Sequence, residues 1–234
     1  MRSIILAAGL LLAAISGTGI AQDNNSMGEV VVTAQRSSKD YYSDEQPVIG
    51  LRRQADSAVQ GISITSDSRD EAVRKNEIHA MLLAAIDRAN AAGVQLVSGN
   101  FELVTVTKDN FRDLAFQNAG RPDTSKVDLM VKAKLSGSTG SAQKRIDDFV
   151  RAVPPSGRSL MEKHGALTLT IINPDHYRDE IVKLVAEAAK KNASYFGADY
   201  GAEVTGLNAQ LEWAQVSNTE VFLYIPYRFT IRPK

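Results

Sequence analysis

Few residues in this chain have both the chemistry and the spacing to make a reactive site. There are three histidines: His79, His164 and His176. No two stand at metal-ligand spacing, and the zinc-protease pattern H-E-x-x-H does not occur. The chain has no cysteine, which excludes a thiolate metal site, a cysteine nucleophile and a disulfide scaffold. There is no G-x-S-x-G elbow to present a nucleophilic serine. The run Gly137-Ser138-Thr139-Gly140-Ser141, followed by Lys144, is rich enough in glycine for a phosphate loop but lacks the G-K-[ST] ending, so it reads as a turn. Calcium-loop and dinucleotide fingerprints do not occur. Carboxylates are plentiful, and none forms a singled-out acid–base pair. The expectation is a non-catalytic protein with no metal and no cofactor. Each histidine reads as a surface or packed residue.

Charge narrows the partners. Lysine and arginine total 27, as do aspartate and glutamate, for a net charge of +0. That balance lacks the basic footprint of a nucleic-acid binder. With 44% hydrophobic and 23% charged residues, the chain has the composition of a globular protein.

The N-terminus carries an address. Arg2 precedes an apolar run from Ile4 to Ile15, and Gly19-Ile20-Ala21 then places small residues at −3 and −1 of a cleavage site before Gln22. This is the layout of a secretory signal peptide over residues 1–21, too short to span a bilayer. No later segment has transmembrane length. The expected location is the periplasm.

The elements that would position any site follow from periodicity. Residues 22–47 are mostly polar and read as a flexible N-terminal arm, interrupted by a β-prone piece, Glu29 to Ala34. Strands are expected at 48–51 and 59–65, with Ile62 and Ile64 on one face. Ser68 and Glu71 have the spacing of a capping box for a helix to about Ala92, stopped by Gly93. Its stripe is Ile78, Leu82, Ala85, Ile86 and Ala89, so it should lie on a sheet. A strand at 94–107, a polar loop at 108–125 and an alternating strand at 126–136 follow. The second half is expected to run as a helix at 141–152, a strand at 166–172, a helix capped by Asn173 and Pro174 that ends at Gly197, and strands at 201–215 and 219–232. Its second long helix carries the stripe Tyr177, Ile181, Leu184, Val185, Ala188 and Tyr195.

The fold class is therefore α+β: two strand–helix–strand–strand units, with long amphipathic helices packed on antiparallel sheets. The domain spans 48–234, with 48–136 and 137–234 as candidate subunits. Aromatic residues gather late in the chain. Phe222 and Tyr224 fall opposite Val221 and Leu223, and Trp213 lies on the preceding strand. The bland reading is core packing. The functional reading makes Phe222, Tyr224 and Trp213 a subunit interface, where such residues are enriched.

Two stretches resemble a known family. Ala58-Val59-Gln60-Gly61-Ile62-Ser63-Ile64 leads to Asp70-Glu71-Ala72 and then to Ile86-Asp87-Arg88-Ala89-Asn90-Ala91-Ala92-Gly93-Val94; the second stretch is Tyr177 to Gly197 with the closing strands. In element order, about residues 47–233 resemble the SIMPL domain, a domain of unknown function in bacterial envelope proteins. The resemblance implies a periplasmic or outer-membrane-associated protein with a non-catalytic binding or structural role, self-association, and no catalytic residues to carry over. The loop at 108–125 departs from its compact pattern.

Separately, Gly28 to Arg36 resembles the segment that opens TonB-dependent receptors. That resemblance implies an adaptor whose arm, through Val30, Val31 and Val32, docks on a TonB-like partner by strand addition. The plainer reading is that this piece joins the domain's own sheet. A carboxylate-based hydrolase working in a cleft between the two units is the remaining alternative. Partners are expected to be protein: a second copy, or another envelope protein.

Overall fold

The computed structural model describes residues 28–32 and 49–234. The signal peptide expected at 1–21, the other residues of the 22–47 arm and Val48 lie outside the described residues. The elements are β1 (Glu29–Val32), β2 (Leu51–Gln54), β3 (Ser57–Ser66), α1 (Glu71–Ala89), β4 (Val94–Ser98), β5 (Val104–Thr105), β6 (Gln117–Asn118), β7 (Ser125–Lys134), α2 (Thr139–Ala152), β8 (Leu160–Ile172), α3 (Arg178–Ser194), β9 (Tyr200–Thr205), β10 (Glu212–Gln215), β11 (Glu220–Tyr224) and β12 (Arg228–Pro233). The fold is α+β with antiparallel sheets, as expected.

The main sheet has the order β1-β8-β3-β7-β4-β5, with β6 also on β7. Its spine is the ladder of β3 on β7, in which Ile62 faces Leu129 and Ile64 faces Val127. These four are buried together with Val131 and Ala133, because period-2 alternation puts all of them on the face that α1 and α2 cover. Each fully buried isoleucine or leucine contributes about 1.5–3 kcal/mol. The opposite face holds a second, smaller core of Val31, Val59 and Val97, with Leu103 and Met130 against it.

The expected long strand at 94–107 is broken. Gly99 turns the chain at φ +125°, so Phe101 to Thr105 runs back along β4. Its first residues then bond to β1: Val31 N donates to Phe101 O at 3.1 Å, and Leu103 N donates to Glu29 O at 2.9 Å. The two ends of the main sheet are thereby joined along a seam.

Helix α1 starts two residues later than the capping-box reading. Asp70 is the N-cap and accepts from Val73 N at 2.9 Å, while Ser68 Oγ donates to Glu77 and Glu71 pairs with Lys75. An aspartate beside the first turn out-competes a serine two residues earlier. The helix ends at Ala89 with Asn90 as its C-cap, three residues short of the expected end, and Gly93, at φ +66°, closes the turn that leads into β4. Asn173 is in the left-handed region at φ 46° without a side-chain cap, and a 3-10 turn over Pro174–Tyr177 precedes α3. The buried positions of α3 are Ile181, Val185, Ala189 and Ala193, a straighter stripe than the expected one, and Tyr195 lies beyond the helix.

The arm reading is corrected for its β-prone piece. Residues 29–32 pair with β8 over four residues, and Val30, Val31 and Val32 are buried, because three consecutive valines lose more by solvation than by ordering. Nor does the fold divide at residue 136. Strand β8, from the second half, lies between β1 and β3, and one main core includes residues from Val30 to Ile225. The described residues also form the sheet β10-β11-β2 and the pair β12-β9. Among the described residues no helix is long and apolar enough to cross a membrane.

Candidate functional site

The interface expected at Phe222, Tyr224 and Trp213 does not form a surface. Trp213 is 1% exposed and Tyr224 2%, and Phe222 is half-buried. Strand β11 is paired along both edges, by β10 and by β2, and its Val221, Leu223 and Tyr224 are buried. Phe222 and Tyr224 stack at 5.5 Å. Burial, with the hydrogen-bonded Glu212 carboxylate adding to it, pushes the Tyr224 phenol well above its ordinary range. These residues are packing, which is the bland reading of the same aromatic cluster.

The exposed aromatic surface lies elsewhere. After α3 ends at Ser194, Tyr195 is 70% exposed, Phe196 61% and Tyr200 38%. Phe196 and Tyr200 lie 6.1 Å apart, centroid to centroid. Beside them a groove of about 710 Å³ opens between α3 and β9. Its walls are small and apolar: Ala186, Ala189, Ala193, Ala202 and Val204, with Lys190 and Lys234 among the lining residues. Small residues let the helix sit close to the strand pair while leaving backbone and methyl surface open. The expected helix stripe includes Tyr195. The signal against that reading was Gly197: a helix stopped there leaves the preceding residue pair at its frayed end, off the core.

A second cluster sits on the sheet face away from the helices. Ser63, Asp128 and His164 come from the neighbouring strands β3, β7 and β8. Gly61 makes the space: a Cβ there would meet His164 Cε1 at 2.6 Å. His164 lies within β8 and is exposed on that face. The set has the residue types of a hydrolase triad but the wrong connectivity. Ser63 donates to Asp128 Oδ1 at 2.5 Å, and His164 Nε2 lies 3.9 Å from that same oxygen, so the carboxylate stands between serine and imidazole where a triad needs the imidazole. Burial would raise the Asp128 carboxyl, but the hydrogen bonds from Lys126 and Ser63, with the charges of Lys126 and His164, outweigh it and hold it below the usual range. A base that weak is poorly matched to proton abstraction near neutral pH. Among the described residues, no group of three or more histidine, aspartate or glutamate side chains could hold a metal ion.

His79 is a packed residue. Its ring lies edge-to-face between Phe111, at 5.3 Å, and Phe116, at 5.2 Å, which straps the 107–118 segment over α1. His79 Nε2 is buried without a hydrogen-bond partner. Burial, then the charges of Arg112 and Lys75, lowers its pKa from the ordinary 6.5. The unfolded chain therefore binds the extra proton first. Stability from this site is present above about pH 6.5 and is lost as pH falls through the window below it. Urea titrations at pH 7.5 and 5.5 should show the wild-type midpoint falling on acidification. His79→Leu should lessen that fall; an equal fall in both proteins would remove His79 as its source. His176 lies in the 3-10 turn, edge-on to Tyr177 at 5.5 Å.

No protein-family model matches the chain, and the curated proteins compared with it contain no match.

Proposed function

We propose that this is a secreted, periplasmic, SIMPL-like envelope protein of bacteria. In this reading it has a non-catalytic binding or structural role, exercised through its surface and by self-assembly. The observation that carries the reading is the contiguous exposed face of Tyr195, Phe196 and Tyr200 beside an alanine-walled groove. Large exposed aromatic residues next to an apolar groove are costly to leave in water and are enriched at protein interfaces. The inverted order of Ser63, Asp128 and His164 supports a non-catalytic role. The burial of Val30, Val31 and Val32 weighs against the adaptor reading, since their backbone already pairs within the chain.

The test is solution mass by light scattering after size exclusion. The wild-type protein should run as an assembly of several chains. Tyr195→Ser with Phe196→Ser should shift it to the mass of one chain while changing stability by less than about 0.5 kcal/mol, as exposed substitutions do. A wild-type monomer at every concentration tested would remove the assembly reading. Mass spectrometry of protein recovered from the envelope fraction should find a chain beginning at Gln22; an intact Met1 in the cytoplasmic fraction would remove the secreted one.

A further inference from the structure

Strand β1 occupies a slot. On one side it pairs with β8, Glu29 opposite Ile172 through Val32 opposite Leu169. On the other, Val31 N and Glu29 O bond to Phe101 O and Leu103 N, and Val30 bridges Glu102. Gly28 is held at both polar groups, its N donating to Glu102 Oε1 at 3.0 Å and its O accepting from Asn173 N at 3.1 Å. Side chains alternate between two cores: Val30 and Val32 enter the main core, and Val31 enters the small core with Val59 and Val97. Glu29 is fixed by both oxygens, one accepting from Thr170 Oγ1 at 2.6 Å and the other paired with Lys132. The slot thus reads a five-residue strand by backbone on two edges and by side chain at every position: glycine, acid, then three valines.

We propose that the slot between β8 and Phe101–Leu103 is a strand-acceptor site that also takes this segment in trans, from a second copy of the chain. All contacts of the strand are local to Gly28–Val32, so the same bonds form whichever chain supplies it, which is the condition for exchange of an element between identical protomers. Residues 33–48 join β1 to the rest of the chain, a sequence length that reaches up to about 55 Å at ~3.4 Å per residue. The inference rests on the reading of a protein that acts on other chains, and it uses a surface distinct from the Tyr195–Phe196–Tyr200 face.

The test uses the full chain carrying Val30→Asp and Val32→Asp, which evicts its own strand, and a labelled synthetic peptide of residues 26–34. If the variant folds, the peptide should bind it saturably. If it does not, excess peptide should restore its far-UV circular dichroism. A Val31→Pro peptide, which lacks the N–H that bonds to Phe101 O, should act at least about tenfold more weakly. The absence of both binding and restoration overturns the acceptor site. The chain has no cysteine of its own, so trans delivery can be read separately. Val31→Cys and Thr170→Cys, which face each other in register at a separation a disulfide can span, are placed in different copies and refolded together. A disulfide-linked pair is expected; monomers alone overturn the second copy as occupant. Both outcomes are independent of whether Phe196 mediates assembly.

Discussion

Trp213→Ala is expected to lower the free energy of unfolding by about 3–5 kcal/mol, the range for removing a fully buried aromatic side chain, and to leave the solution mass unchanged. Trp213 is almost wholly enclosed in the main core, opposite Leu223 on β11 and 5.6 Å from the Phe101 ring. Alanine there removes transfer energy and leaves a cavity that two sheets must collapse around. Urea denaturation reads the loss as a shift in midpoint at constant slope. The comparison with Phe196 is the informative part. Phe196→Ser should move mass and leave stability, whereas Trp213→Ala should move stability and leave mass. If Trp213→Ala instead dissociated a wild-type assembly without loss of stability, the assignment of β10 and β11 to the core would be wrong.

The second large effect is expected at Gly99. Its φ of +125° is outside the range side chains adopt, and a Cβ would lie 2.0 Å from Glu102 O. Backbone cannot give way as a side-chain tip can. Strain and forced displacement each cost about 1–3 kcal/mol, so Gly99→Ala should destabilise the protein by about 2–6 kcal/mol. The damage should be local first. This turn carries Phe101–Leu103 back to β1, so amide exchange should accelerate at Val31 and Leu103, the two donors across the seam, before it does in the β3–β7 ladder. Uniform acceleration across the whole sheet would mean that the seam has no independent opening.

The identity of most elements was legible because it depends on local periodicity. The alternation from Lys126 to Lys134 is a strand in any half-buried sheet. The Ile78–Leu82–Ala85–Ala89 stripe is a helix on any apolar support. Gly93 turns the chain from that helix into β4 through its own backbone freedom. Errors came where two local signals competed within a few residues. Asp70 displaced Ser68 as the cap, Gly99 broke a strand that β-propensity extended to 107, and the 3-10 turn at Pro174 delayed α3.

The candidate site was least legible, because exposure is a property of what lies across from a residue. Trp213, Tyr224, Tyr195 and Phe196 are alike in type and lie close together in the sequence. Whether each became core or surface was decided by packing among segments far apart in the chain: β10 and β11 turn Trp213 and Leu223 into the main core, while nothing among the described residues closes over the end of α3. The same holds for Val30–Val32, whose β-propensity is local but whose slot is built from residues about 70 and 140 positions away. By itself, the sequence determined the α+β class, the periods of its helices and strands, and the lack of recognisable catalytic motifs. Only the tertiary structure decided which apolar residues meet each other and which are left to meet something else. Side-chain burial is a sum over contacts between segments, and no local pattern encodes which segments those will be.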